Sequence, residues 1–247
     1  MSTPYLSIII PAYNEARRLP RSLERLHNEY LDLVLFPYEI IIADDGSTDD
    51  LDKTIQAMDY DHVFYLKLPH KGKGHAVRQG MLHARGRWRV MCDADFSMPP
   101  RELKRLVPTP STPSAPDILI TSRRTLDTSV RSDPLRWLAG RVFNGLIRLI
   151  TALPVEDTQC GFKCFSANST FDLFNLATVD GFAFDIEILM LADQRGWSAG
   201  SLGVDWVHDG DSRVSLVRDS LIMLWDVVAI AQRLRREKRV GAEASTP

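Results

Sequence analysis

Five short apolar runs, each carrying isoleucine or valine, recur through the first half of the chain: YLSIII (5–10), YEIIIA (38–43), HVFYLKL (62–68), RWRVMC (87–92) and DILIT (117–121). Runs so brief and so continuously apolar suit strands covered on both faces. Helical spacing fills the gaps, over Pro20 to Leu31, Asp49 to Met58, His75 to Arg85 and Pro100 to Val107. Gly86 stands where a C-terminal cap would end the third helix, and Ser97 with the prolines after it opens the fourth. Parallel strands need a crossover, usually a helix, so the alternation predicts an α/β chain with a central, mostly parallel sheet flanked by helices. In such a sheet ligands gather beyond the carboxyl ends of the strands. The expected organisation is one domain over 1–211, an amphipathic helix over 212–239 and a disordered tail over 240–247. PTPSTPSAP (108–116) reads as a surface loop inside the domain.

With 247 residues, 45% of them hydrophobic and 25% charged, the chain can bury a sizeable core. A net charge of -2 argues against a general nucleic-acid binder and confines any basic surface to a patch. Cys92, Cys160 and Cys164 are odd in number and lack zinc spacing, which suits a reducing compartment. GFKCF, between and around the last two, reads as a strand, so packing is their expected role. The N-terminus lacks a signal-peptide pattern, and no apolar stretch reaches the roughly 18 residues of a spanning helix. The expectation is a cytoplasmic protein, soluble or peripheral.

Polar motifs follow the strands: PAYNE (11–15) after the first, DDGSTD (44–49) after the second, DADFS (93–97) after the fourth. Singly they have structural explanations, since Asn14 and Ser47 are helix-capping types and DDGS is ordinary turn chemistry. Together they converge on one crevice. Asp93 and Asp95, one residue apart at a strand end, are expected to point the same way at ~5 Å. There like charges repel, and one carboxyl is pushed toward protonation unless something neutralises both. A divalent cation does so, because Mg²⁺ and Mn²⁺ accept one or two carboxylates and keep positions for substrate phosphates. Helix capping by Asp95 or Ser97 accounts for one carboxylate only. HKGKGHAVRQG (70–80) adds Gly72 and Gly74 for close backbone approach, Lys71 and Lys73 for charge, and a helix N-terminus behind them. It has a phosphate-binding look without the Gly-Lys-Ser/Thr ending of a Walker loop.

IIIPAYNEARRLP, YEIIIADDGSTD, KGKGHAVRQGMLHARG, DAD, SRR, DTQCGFKCF and FAFDIEIL, in that order, resemble the inverting glycosyltransferases of family 2, which have the GT-A nucleotide-sugar-binding fold. The likeness spans about Leu6 to Ser220. It is nearest to the dolichyl-phosphate β-glucosyltransferases, with polyprenyl-phosphate mannose synthases close by, and DTQCGFK (157–163) favours the glucosyl branch. The resemblance implies transfer of glucose from UDP-glucose to a polyprenyl (dolichyl-type) phosphate, with Mg²⁺ or Mn²⁺ as cofactor. It implies that Pro11, Ala12, Tyr13 and Glu15 frame the nucleoside and that Asp44 hydrogen-bonds the base. Lys73 would lie near the donor diphosphate, and Asp93 and Asp95, with Ala94 between them, would hold the metal. Ser97 stands where mannose synthases often carry glutamine, so a third protein ligand is not implied. Asp157 and Gln159 would border the reacting sugar and the acceptor. Eukaryotic members have an N-terminal membrane anchor without a counterpart here, which implies a prokaryotic version held to lipid differently.

The acceptor sets the chemistry. A lipid monophosphate, like phosphoserine, has a second pKa near ~6, so it attacks the anomeric carbon without a general base. Single displacement then inverts an α-linked nucleotide sugar into a β-linked lipid phosphosugar. The enzyme has to position the acceptor with cations and stabilise the departing nucleotide. Asp157 is accordingly expected to orient or bind substrate and not to act as an obligatory base, and Asp95 is a catalytic candidate through the metal. Arg123, Arg131 and Arg141 are the acceptor-phosphate candidates, because a guanidinium suits phosphate oxygens bidentately; a solvated surface role is the alternative. PLRWLAGRVFNGLIRLITALP (134–154) and RVSLVRDSLIMLWDVVAIAQRLRREKR (213–239) carry leucines, tryptophan and arginines at helical spacing. For the first, that is the make-up of an interfacial helix at the cytoplasmic face of a membrane; for the second, packing on the domain is the expectation and the membrane surface the alternative. Asp185 reads as the cap of the helix that Gly196 ends, or as a substrate contact. His208 and Arg213 read as turn residues or diphosphate neighbours. A GDP-mannose donor, a soluble acceptor and a non-catalytic nucleotide-sugar sensor are the competing functions. The paired aspartates argue against the sensor, since binding alone has less need of a metal at a leaving group.

Overall fold

The computed structural model describes residues 3–58, 60–112, 114–122, 130–131, 145–153, 157–207 and 218–244. All five apolar runs form strands: β1 (Leu6–Ala12), β2 (Tyr38–Asp44), β3 (Val63–Lys67), β4 (Trp88–Met91) and β5 (Ile118–Ser122). Helices α1 (Leu19–Glu29), α2 (Leu51–Ala57) and α3 (Lys73–His83) fill the first gaps; a 3₁₀ turn, Pro100–Glu102, runs into the short α4 (Leu103–Leu106). Two further strand residues, β6 (Val130–Arg131), precede a helical stretch, α5 (145–151). β7 (Lys163–Ser166), α6 (Ala167–Leu176), α7 (Phe184–Arg195), β8 (Ala199–Gly203), β9 (Trp206–Val207) and α8 (Arg218–Ala244) complete the order. The helix expected over 212–239 is thus described from 218 and extends to 244.

The main sheet runs β3-β2-β1-β4-β7-β5-β8. It is parallel except for β7, which lies antiparallel to both β4 and β5. β1 and β2 are buried along almost their whole length because both faces are covered. Ile8 and Ile10 face one core with Leu19, Leu23 and Leu26 of α1, while Ile9 faces the other with Val77 and Met81 of α3. This is the period of two that a strand imposes. Proline is normally excluded from a central strand, yet Pro11 pairs with Ala43. β4 accompanies β1 only as far as Ile9, whose carbonyl accepts from Cys92 N. Side alternation aims Pro11 toward the flank that β4 has left, so no ladder bond is lost.

At the amino ends of the strands Glu39 is buried in a closed network. Its Oε1 accepts from Ser7 Oγ (2.6 Å) and Arg85 N (2.7 Å), and its Oε2 from Arg85 Nη2 (2.8 Å). Burial works to raise its pKa, but these donors outweigh it and hold Glu39 below the ordinary glutamate value. Gly86 does not cap α3, which ends at His83 with Ala84 extended. It is needed a turn later, where a Cβ would come within 2.6 Å of Ser7 N. All three cysteines are buried and outside disulfides, as packing residues should be, and burial pushes the thiols of Cys92 and Cys164 upward. Among the described residues no helix is long and apolar enough to cross a membrane.

Candidate active site

Successive parallel strands run outward on one side of β1 as β2 and β3, and the chain then returns to its other side as β4. This reversal opens a crevice at the carboxyl ends of β1 and β4, the usual ligand position of an open α/β sheet. The three polar motifs meet there. Asn14, in the left-handed region at φ 55°, turns its side chain onto the loop after β2: Oδ1 accepts from Thr48 N (2.8 Å) and Asp49 N (3.3 Å). Ser47 Oγ in return accepts from Asn14 N (2.9 Å). Asn14 and Ser47 therefore cross-brace two turns; neither caps a helix.

Asp44 is fully buried at the end of β2. Its Oδ1 accepts from Ser47 N (2.9 Å) and from Ser47 Oγ, and its Oδ2 from Tyr65 OH (2.5 Å). Burial, then that bond and the charge of Asp44, push the Tyr65 phenol upward, so it stays a donor. Asp45 binds the following loop through Lys71 N (2.9 Å) and Gly72 N (3.0 Å). It also holds His70, whose Nδ1 lies 2.8 Å from Asp45 Oδ2. The His70 ring stacks on Tyr13 with centroids 4.3 Å apart and planes 17° from parallel. Glu15 is buried and clamps Arg18 bidentately, at 2.9 and 2.7 Å. Pro11, Ala12 and Ala94 are buried, and the two alanine side chains belong to the core.

The aspartate pair does not obtain its geometry from strand alternation. β4 ends at Met91, and Asp93 to Asp95 form a turn closed by Phe96 N to Asp93 O (3.1 Å). Phe96 stands at φ 46°, an uncommon conformation for a bulky residue. Its buried ring, edge-on to Phe162 at 5.7 Å, holds it there. The nearest neutralising group is Lys73, the first residue of α3, whose Nζ donates to Asp93 Oδ1 at 2.5 Å. Burial opposes charge on Lys73, yet Asp93, Asp185 and Asp95 together raise its pKa above the usual lysine value. Asp95 keeps Ser97 N (3.0 Å) on its Oδ1. Burial, followed by the charge of Asp93, pushes its carboxyl upward.

Behind this pair lies the segment that leads into β7. A Cβ on Gly161 would fall 1.8 Å from Asp93 Oδ2, so the backbone at 161 forms the wall against which that carboxylate rests. Lys163, buried in β7, fixes the wall: Nζ donates to Cys160 O (2.7 Å) and to Asp185 Oδ1 (2.5 Å). Asp185 lies inside α7, whose N-cap is Ala183, so it is no cap. Burial raises its pKa against the pull of Lys163 and Lys73. Gly196, at φ 74°, does end α7. Gly72 and Gly74 allow close approach, but to protein: a Cβ would meet Asp180 O at 2.6 Å and Val179 O at 2.5 Å. The glycines thus dock the Lys73 turn on the 179–181 loop.

Asp157 is fully buried at the head of the 157–162 segment, and Gln159 Nε2 contacts Met223 Sδ of α8. Arg123, Arg141, His208 and Arg213 lie outside the described residues, and Arg131 is described by its backbone alone, paired with Val207. Sequence reasoning assigned no role to Gly161, Lys163, His70 or Tyr65. Only Lys163 carried a local signal, a lysine inside an apolar strand pattern. No cluster of three acidic, histidine or cysteine side chains suited to a metal occurs among the described residues. Asp93 and Asp95 still fit Mg²⁺ or Mn²⁺, which take one or two carboxylates and complete their octahedron with water and substrate phosphate.

Residues 7–168 match the family model described as glycosyl transferase family 2. The chain is 32% identical to the dolichyl-phosphate beta-glucosyltransferase ALG5A of Trichomonas vaginalis over 92% of its own length and 73% of that protein's. It is 30% identical to the dolichyl-phosphate beta-glucosyltransferase of Saccharomyces cerevisiae, with 92% and 74% covered. Among solved structures it resembles glucosyl-3-phosphoglycerate synthase from Mycobacterium tuberculosis in complex with Mn²⁺, uridine-diphosphate-glucose and phosphoglyceric acid. The TM-score is 0.66 at 19% identity, over 93% of this chain and 80% of that one, which is a likeness of fold.

Proposed function

The chain belongs to glycosyl transferase family 2, and on that premise we propose that it transfers glucose from UDP-glucose to a polyprenyl (dolichyl-type) phosphate at the cytoplasmic face of a membrane. The observation that carries this reading is the similarity, along nearly the whole chain, to proteins named for that transfer. The geometry of the crevice is compatible with it. A bound Mg²⁺ or Mn²⁺, held by Asp93 and Asp95, would neutralise charge on the departing diphosphate. Lys73, at the N-terminus of α3 and bonded to Asp93, would lie near the same phosphates. The Tyr13–His70 stack offers a planar surface for the base, and Asp45 keeps its histidine in place.

The acceptor phosphate is already ionised near neutral pH, so no side chain has to remove a proton before attack. Asp157 and Gln159 would border the sugar, while Arg123, Arg131 and Arg141 would receive the acceptor phosphate bidentately. Attack opposite the nucleotide inverts the anomeric centre. Incubating the enzyme with Mn²⁺, polyprenyl phosphate and radiolabelled UDP-glucose or GDP-mannose tests the proposal. Lipid-phase label from UDP-glucose is expected. Label from GDP-mannose alone, or tight donor binding without turnover on any acceptor, would refute it.

A further inference from the structure

α8 fixes one face to the body of the protein and leaves the other open. Val227, Ile230, Ala231 and Leu234 are buried against the core. Arg233 bonds the buried Glu187 (2.5 Å) and Thr178, so the helix is anchored through α7 and the loop before it. The opposite face exposes Ile222, Trp225, Ala229, Gln232 and Arg236, successive at three- and four-residue steps. Trp225 is 77% exposed and Ile222 52%. Gly181 adjoins Asp226, and the next residue, Phe182, is 44% exposed. Large apolar side chains so open on an anchored helix are not core residues.

We propose that this ridge of Phe182, Ile222 and Trp225, continued on the same face by the exposed Arg236, seats the enzyme on an anionic lipid surface. Apolar residues at one end of the open face and the Arg236 cation at the other match the acyl boundary and the headgroup charge of such a surface. A second copy of the chain fits less well. An isologous contact across the middle of α8 would set its basic end on the apolar ridge and bury charge without a partner. The ridge also stands beside the crevice. Met223 contacts Gln159, two residues before the Gly161 wall, and the 179–181 loop meets Gly72 and Gly74 just ahead of Lys73. Seating α8 on lipid therefore brings the crevice to the phosphate of an embedded acceptor. The inference rests on the lipid-acceptor reading, yet its flotation test needs neither donor nor acceptor.

The test is flotation of the full-length protein with phosphatidylglycerol/phosphatidylcholine vesicles, compared with vesicles of phosphatidylcholine alone. Binding to the anionic vesicles, weakened by salt, is expected. Ile222→Ser with Trp225→Ser should lower that partition by roughly tenfold or more, and Arg236→Glu should weaken the preference for anionic vesicles. Neither variant should change transfer to a short-chain, water-soluble polyprenyl phosphate, and thermal unfolding should stay at the wild-type midpoint. Failure of the wild type to float, or undiminished flotation of the serine variant, overturns the docking surface. Loss of a concentration-dependent dimer in the serine variant would assign the ridge to self-association instead, and also overturns it. Flotation without glucosyl transfer would strike the proposed reaction alone.

Discussion

Gly161→Ala isolates the seating of Asp93 from the stability of the fold. The added methyl would lie 1.8 Å from Asp93 Oδ2, 2.4 Å from its Cγ and 3.0 Å from Oδ1. Ordinary contact begins at 3.4 Å, so Oδ2 has to retreat by about 1.6 Å, the difference between the two distances. Every atom struck belongs to the end of a side chain, not to backbone. The carboxylate can therefore swing away at an off-rotamer cost of about 1 kcal/mol. Function should be far less forgiving, because a displacement of ~1 Å in a catalytic group can cost ~100-fold, or about 2.7 kcal/mol of transition-state stabilisation. Steady-state transfer assays across a Mn²⁺ titration, with thermal unfolding in parallel, should show kcat/KM down ~100-fold or more. The metal requirement should rise while the melting temperature moves by only a few degrees, roughly what ~1 kcal/mol produces in a domain of this size. In an Asp93→Ala background the three atoms that the new methyl strikes are gone, so the same alanine should cost far less, a non-additivity that identifies the contact. Wild-type kcat/KM and metal dependence in Gly161→Ala would refute the assignment of the 161 backbone as the carboxylate's wall.

Asp95→Asn should abolish turnover with the fold intact, read by transfer assay and circular dichroism; undiminished transfer would remove the residue from the metal site. Lys163→Met leaves Asp185 buried without its partner and should destabilise by about 3–5 kcal/mol in urea unfolding. The Lys163→Met, Asp185→Asn double variant should recover much of that loss. Glu39→Gln should cost about 1 kcal/mol at neutral pH, and the cost should depend on pH. Because the folded pKa of Glu39 is depressed, its contribution is present above the ordinary glutamate value of 4.5 and is lost as pH falls through the lower folded value. The gap between wild type and Glu39→Gln should therefore close below about pH 4.5 in denaturant titrations.

The strands were legible because a continuous apolar run has few homes other than a sheet interior, and β1 to β5 begin and end within two residues of the expected runs. The reach of β1 through Pro11 to Ala12 was not, since it depends on where β4 stops. The crevice was legible as three polar motifs at strand ends. Its working geometry was not, because it comes from pairs distant in sequence. Gly161 meets Asp93, Lys163 meets Asp185, and Phe162 props the left-handed Phe96 that turns Asp95. The insertion of β7 antiparallel between β4 and β5 creates all three, and strand order of that kind leaves no local trace. One signal carried a second meaning. The glycines of KGKG look like phosphate-loop glycines, and the same lack of a side chain serves packing on residues 179–181.

The two aspartates also tolerate each other in a way the sequence did not disclose. Reasoning from repulsion alone required a cation from solution, whereas Lys73 already neutralises Asp93 and leaves Asp95 raised. Around the aspartate pair Asp93, Asp95 and Asp185 face Lys73 and Lys163, while Glu15 and Arg18 cancel. Three carboxylates against two ammonium groups leave an excess of negative charge among these five, to which Asp44, held by the neutral Ser47 and Tyr65, adds, and that excess repels a nucleotide diphosphate. A divalent cation reverses that sign, and opposite unit charges near a protein surface attract by several kcal/mol at contact (about 4 at 4 Å). Donor affinity should therefore depend on metal far more than the fold does. Calorimetric titration of UDP-glucose in Mn²⁺ and in chelator should differ by at least ~100-fold in Kd, the factor that about 2.7 kcal/mol represents. Thermal unfolding without donor should be nearly the same in both buffers. Equal donor affinity in chelator would mean that Lys73 alone carries the diphosphate, and the charge balance drawn from these five groups would be wrong.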